Sequence, residues 1–233
     1  CPVCHAWNTM VEEKVIDIDK EDKRRRASGT SKPEKLSSVV SGETARIDTG
    51  IRELNRVLGG GLVPGSLTLI SGEPGIGKST IILQAANNIA RNAGKVLYVS
   101  GEESEEQIKM RADRVCRSDD GNAGLSDNLF ILAETNIENV SEVCKALEPA
   151  FLVVDSIQTM YSADIDSAPG SVSQVRICGN ELMKIGKTSN IPVFIVAHVT
   201  KSGELAGPRI VEHMVDCVLN FTGDRSHEMR ILR

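Results

Sequence analysis

The chain begins without hydrophobic rhythm: polar and charged residues dominate 11–45, and no sustained period of two or of 3.6 emerges there. From about residue 46 the pattern changes. Short apolar runs alternate with stretches in which apolar residues recur every three or four positions. The runs 66–71 (SLTLIS), 95–100 (KVLYVS), 129–132, Phe151–Asp155 (FLVVD) and 191–198 (IPVFIVAH) read as strands, and two further apolar stretches lie at 217–221 and 229–232. Helices are predicted at 50–58, Lys78–Asn92, 104–116, Ile137–Leu147 and about 172–188; in the second of these Ile81, Ile82, Ala85, Ala86 and Ile89 share one face. Strands alternating with helices of this length predict an α/β domain over 46–233, with right-handed crossovers and a mainly parallel central sheet. KVLYVS is expected beside SLTLIS, as in a simple βαβ unit. Ligands on such sheets sit at the carboxyl ends of the strands.

Composition narrows the class. With 40% hydrophobic and 25% charged residues, the 233-residue chain has the make-up of a globular domain, not of a collagen or a disordered polymer. Only 3% is aromatic, so Val, Ile, Leu and Ala must build the core. No apolar run approaches the ~20 residues that a membrane-spanning helix needs. The net charge of −5 excludes a global basic field, so any nucleic-acid contact would come from local loops or from several subunits converging. Acids and bases balance over 11–45, which reads as a charged linker with one basic knot at 23–26, so the negative surplus belongs to 46–233. Residues 1–10 carry Cys1 and Cys4 as a CxxC. The chain starts inside that cysteine pair, without Met or leader, and reads as a piece of a cytoplasmic protein. Cys116, Cys144, Cys178 and Cys217 lie singly and read as small buried hydrophobes.

The strongest chemical signal is Gly72-Glu73-Pro74-Gly75-Ile76-Gly77-Lys78-Ser79, a full GxxxxGK[ST], followed by Thr80. A strand precedes it and a helix follows, which is the context this loop needs. Glycines let backbone N–H groups curl around a polyphosphate, and the helix N-terminus adds its positive end. Lys78 then reaches the β- and γ-phosphates of ATP, and the Ser79 hydroxyl ligates Mg²⁺. Asp155, closing FLVVD, stands where a second carboxylate holds the metal shell. Hydrolysis further requires a group that orients water. Glu102 and Glu103 follow KVLYVS; Glu102 is the preferred base, with Glu103 or a plain helix-cap role as alternatives. His198 ends IPVFIVAH at the same edge, where it either senses the γ-phosphate or is a structural histidine. The Gly-rich stretch 200–209 has Lys201 and Arg209 at its ends and reads as a mobile loop able to track DNA if several copies line a channel.

Taken together, CPVC with WNT at 1–9, TGIRELNRVLGGGLVPGSLTLISGEPGIGKST at 49–80, YVSGEES at 98–104, LVVDSIQTMY at 152–161, SVSQVR at 171–176 and AHVTKSGELAGPRIVEHMVDCVL at 197–219 resemble the bacterial RadA (Sms) DNA-repair ATPases of the RecA superfamily. The resemblance implies a RecA-like P-loop core and DNA-stimulated ATP hydrolysis. It also implies a hexameric ring on single-stranded and branched DNA that drives branch migration beside a RecA-type recombinase. It assigns ATP to residues 72–79, catalysis to Glu102 with Lys78, the metal-side acid to Asp155 and a DNA-facing segment to Lys201 and Arg209. Two departures stand out. The family's zinc finger has two CxxC pairs, whereas Cys1 and Cys4 supply two of the four Zn²⁺ ligands. The chain also stops before the family's KNRFG words, a source of the cation that completes a neighbour's ATP site, with Arg230 and Arg233 as remnants; weak turnover by 1–233 is therefore expected. The alternative reading is an ATP-gated oligomerisation module that does little DNA work.

Overall fold

Four runs are apolar on both faces, which only a strand covered on both sides can satisfy. These are β1 (Leu67–Gly72), β2 (Val96–Ser100), β4 (Phe151–Asp155) and β5 (Val193–His198), buried along their whole length except for the half-buried His198. The computed structural model describes residues 35, 37, 45–116, 124–198, 206–223 and 229–233. The chain divides into two units, Cys1–Glu43 and Thr44–Arg233. Cys1, Cys4 and the basic knot fall outside the described residues, as do Lys201 and most of the linker.

In Thr44–Arg233, β3 (Leu129–Ala133), β6 (Cys217–Gly223) and β7 (Arg230–Leu232) complete a seven-stranded sheet of order β3-β2-β4-β5-β1-β6-β7. Every pairing is parallel except β6 with β7. The helices are α1 (Arg52–Val57), α2 (Lys78–Asn92), α3 (Glu105–Val115), α4 (Ile137–Leu147), α5 (Val172–Ser189) and α6 (Ala206–Glu212). On one face of the sheet Ile70, Tyr98, Phe151, Val153 and Phe194 meet Ile82, Ile89, Ile108 and Ala112 from α2 and α3. On the other, Leu69, Val99, Val154 and Ile195 meet Val140, Cys144, Cys178 and Leu182 from α4 and α5. A T-shaped Phe151–Phe194 pair, centroids 5.2 Å apart, ties β4 to β5. Three cysteines are buried small hydrophobes as expected, with the thiols of Cys144 and Cys178 pushed up by burial to about 11 and about 12; Cys217 is half-buried. No helix among the described residues is long and apolar enough to cross a membrane.

Two expectations are corrected. β2 does not neighbour β1: α2 carries the chain past two strand positions that β5 and β4 later fill. Both inserted strands are apolar on both faces, so the centre of the sheet is theirs. The supposed loop at 200–209 ends in a helix, α6. Pro208 lies in its first turn, where a missing N–H does no harm, and Val211 anchors it in the core.

Parallel register then aligns the carboxyl ends. Gly72 lies opposite His198, and Asp155 lies opposite both Val196 and Ser100. The segment leaving Asp155 is fastened by Gln174 of α5, which is buried. Its Oε1 accepts from Ser162 N at 2.7 Å, and its Nε2 donates to the carbonyls of Ser162, Ile165 and Ser167 at 3.1, 3.2 and 3.0 Å. Gln174→Ala leaves these buried backbone groups unpaired and is expected to cost about 3 kcal/mol, read from urea unfolding; a loss below about 1 kcal/mol would contradict the fastening role.

Candidate functional site

α2 starts differently from the other long helices. Ser104 caps α3 in a capping box with Gln107, Asn136 caps α4 and Ser171 caps α5, each side chain accepting from a first-turn N–H. α2 begins at Gly77 with no side-chain cap and no acid in its first turn. Its leading amides, those of Lys78, Ser79 and Thr80 among them, therefore have no capping side chain to meet, and the helix dipole favours an anion there. Gly77 takes φ +107, a left-handed conformation that a side chain resists. A Cβ there would also lie 2.9 Å from Arg230 Nη1, so the guanidinium of β7 rests over this chain's own loop. A Cβ on Gly72 would collide with the Phe221 carbonyl of β6. Glu73, Pro74 and Gly75 are exposed, while Ile76 is half-buried and packs against Gly223.

Lys78 is buried, and its Nζ donates to the carbonyls of Gly72 and Glu73 at 2.8 and 2.9 Å. Burial lowers its pKa from the ordinary lysine value, while the charges of Asp155 and Glu102 oppose that shift. Asp155 is buried at the end of β4. Its Oδ2 accepts from the Tyr98 hydroxyl at 2.6 Å, and its Oδ1 has no hydrogen bond among the described residues. The Ser79 hydroxyl likewise has none.

The two neighbouring acids part company. Glu103 forms an ion pair with Arg111 of α3 at 2.6 Å, and its N–H donates to Ser100 Oγ. Glu102 instead accepts from Ser156 Oγ at 2.6 Å and lies 3.3 Å from His198 Nε2. That approach lacks hydrogen-bond alignment and attracts only a protonated imidazole. Both ring nitrogens of His198 and the Oε1 of Gln158 are buried without a hydrogen-bond partner among the described residues, although Gln158 Nε2 donates to the His198 carbonyl at 3.1 Å. Buried polar atoms at one sheet edge call for a partner, whether ordered water or a polar ligand.

These features fit a magnesium nucleotide. No group of three or more His, Cys, Asp or Glu among the described residues could hold a metal ion. Mg²⁺, however, is commonly bound by one or two protein oxygens together with phosphates, and Ser79 Oγ and Asp155 Oδ1 are such oxygens.

The chain matches the AAA domain family over residues 30–204. It belongs to that family. It is 52% identical over 240 residues to DNA repair protein RadA of Bacillus subtilis (strain 168), a match covering all of this chain and 50% of that protein. The RadA proteins of Halalkalibacterium halodurans and Listeria monocytogenes are 48% and 50% identical over 236 and 237 residues, with the same coverage. The resemblance to RadA is thus upheld across the whole chain, which spans about half the length of these curated relatives. Among solved structures, one of an ATPase domain superimposes with TM-score 0.65 at 15% identity, over 93% of this chain and 86% of that one. A DnaB-like replicative helicase, solved to describe its interactions with primase, gives TM-score 0.66 at 14% identity, over 93% and 59%. These two likenesses concern the fold alone.

The sheet edge therefore gathers Gly72 to Thr80, Glu102, Asp155 and His198. Arg209 is exposed on α6, away from the loop conformation expected for it. Sequence reasoning missed Ser156, Gln158, Tyr98 and Arg111. Ser156 and Gln158 follow the strand-terminal Asp155 and carry that positional signal; the other two come from neighbouring elements. Because Glu103 is engaged by Arg111 whereas Glu102 is not, Glu103→Gln should cost about 1–2 kcal/mol of stability and Glu102→Gln less than about 0.5 kcal/mol. Chemical denaturation of both variants checks this, and equal losses would contradict the division.

Proposed function

We propose that this chain is the ATP-hydrolysing part of a DNA-repair motor. What carries the reading is one juxtaposition: an uncapped P-loop helix with its buried lysine faces a carboxylate, Glu102, that Ser156 orients and that no arginine among the described residues neutralises. The amides from Gly75 to Thr80 bind the phosphates, and Lys78 swings from the carbonyls of Gly72 and Glu73 onto the β- and γ-oxygens. Ser79 and Asp155 would hold Mg²⁺, which when bound would supply neutralisation of the phosphate charge. Glu102 takes the proton of the attacking water, a role worth about 10²–10⁴-fold for a positioned base. His198 and Gln158, whose polar atoms lack partners among the described residues, sense whether a γ-phosphate is present and pass that on to the segment after β5.

The DNA side of the reading is supported by relatives named DNA repair proteins at about half identity and by a fold shared with a replicative helicase. In it, Lys201 and Arg209 face single-stranded or branched DNA in the channel of a hexameric ring that drives branch migration beside a RecA-type recombinase. In this reading DNA stimulates turnover. Cys1 and Cys4 contribute to a zinc finger.

Lys78→Ala should weaken ATP·Mg binding at least tenfold by calorimetry, and unchanged affinity would contradict the P-loop assignment. Glu102→Gln should bind ATP within about twofold of the parent while phosphate release falls about 100-fold or more; if Glu103→Gln is the variant that stalls, the base is assigned wrongly. Arg209→Ala should lower affinity for a labelled single strand and flatten its salt dependence by about one unit of slope in fluorescence anisotropy. An unaltered slope would remove α6 from the DNA path.

A further inference from the structure

Behind Asp155 lies a polar chain that the reading above does not use. Tyr98 is on β2, opposite Val153 of β4, and its side chain sits in the apolar layer with Ile82, Ile108 and Phe151. Ser100 is opposite Asp155, so Val153 and Asp155, two residues apart, share the sheet face to which Tyr98 belongs. The Tyr98 side chain is fully buried, and its hydroxyl reaches Asp155 Oδ2 at 2.6 Å. On the far side, Arg111 of α3 places Nη2 3.4 Å from the same hydroxyl and pairs with both oxygens of Glu103, at 3.1 and 2.6 Å. The chain therefore runs Glu103–Arg111–Tyr98–Asp155 and ends on one oxygen of the carboxylate.

Core filling does not require this hydroxyl. Phenylalanine would occupy the same apolar layer, and burying a phenol demands a partner. The partner here is the acid that closes β4. The phenol donates to that acid from a fully buried position. The Arg111 cation stands behind it, donating to the same hydroxyl at 3.4 Å.

We infer that Tyr98 is a positioning residue for the metal-side carboxylate: by occupying Oδ2 from within the core, and being braced by Arg111, it fixes the Asp155 rotamer and leaves Oδ1 for Mg²⁺. Hydrogen-bond partners of metal ligands are typically worth about 10–100-fold in metal affinity or activity. This rests on the nucleotide reading given above, and its test separates the two.

The experiment titrates free Mg²⁺ against a fluorescent ATP analogue on the whole chain, with metal-free nucleotide affinity and thermal unfolding measured on the same samples. For Tyr98→Phe the Mg²⁺ concentration at half effect should rise about tenfold, with metal-free affinity held within about twofold. Arg111→Lys keeps a cation for Glu103 but loses the planar reach to the phenol, and should shift the same midpoint in the same direction by less. Should Tyr98→Phe leave the midpoint where it is, the positioning role is overturned. Equal losses of metal-free and Mg²⁺-loaded affinity, tracking a fall in unfolding temperature, also overturn it, since the hydroxyl would then serve packing alone. A parent protein that binds no nucleotide with or without Mg²⁺ overturns the nucleotide reading itself, whereas normal parental binding with an unmoved Tyr98→Phe midpoint overturns only the positioning of Asp155.

Discussion

The structure turns on the end of one helix. α2 emerges from β1 through a glycine loop and starts with no capping side chain, while α3, α4 and α5 each carry one. Backbone N–H groups at a helix start are costly to bury unmatched and are matched best by an anion. The surroundings preserve that arrangement. β6 presses its Phe221 carbonyl on Gly72, which leaves no room for a side chain, while the left-handed φ of +107 at Gly77 resists one. Lys78 adds a buried positive charge at the same point.

Strand order turns that helix end into a site. Had β2 paired with β1, Glu102 would lie beside the loop while Asp155 was displaced outward. Because β5 and β4 occupy the space between, Gly72, His198 and Asp155 follow one another across the edge, with Glu102 arriving from β2 beyond them. The resulting field is mixed: burial of Lys78 disfavours its charge, and the two acids offset that only in part. The acids that follow β2 are themselves divided by their partners. A serine hydroxyl orients Glu102, while an arginine fixes Glu103 in an ion pair.

Much of this was legible in the amino-acid pattern because the same physics writes both. A strand buried on both faces must be a continuous apolar run, so β1, β4 and β5 are readable to within a residue or two. The loop sequence from Gly72 to Ser79 is tied to its local strand–turn–helix context, and α2 matches its expected bounds. Strand order is not local. Nothing in the apolar run of β2 distinguishes a neighbour of β1 from a strand farther along the sheet, since both would be equally hydrophobic. α6 was hidden by Gly207 and Pro208, which in isolation punctuate loops but at a helix start are harmless. Tyr98 and Arg111 were invisible as site residues for a similar reason. Tyrosine in a strand reads as core and arginine in a helix as a solvated face, and only the packing of α3 on the sheet brings them to Asp155.

Everything proposed for this chain rests on whether the main-chain amides at the start of α2 hold a polyphosphate. Amide chemical shifts of the ¹⁵N-labelled chain, followed as ATP·Mg is added, report on this without an intermediary. The largest, saturable perturbations should fall on Gly75, Gly77, Lys78, Ser79 and Thr80, followed by smaller ones near Asp155 and His198. Perturbations gathered elsewhere on the sheet, or none at millimolar nucleotide, would contradict it.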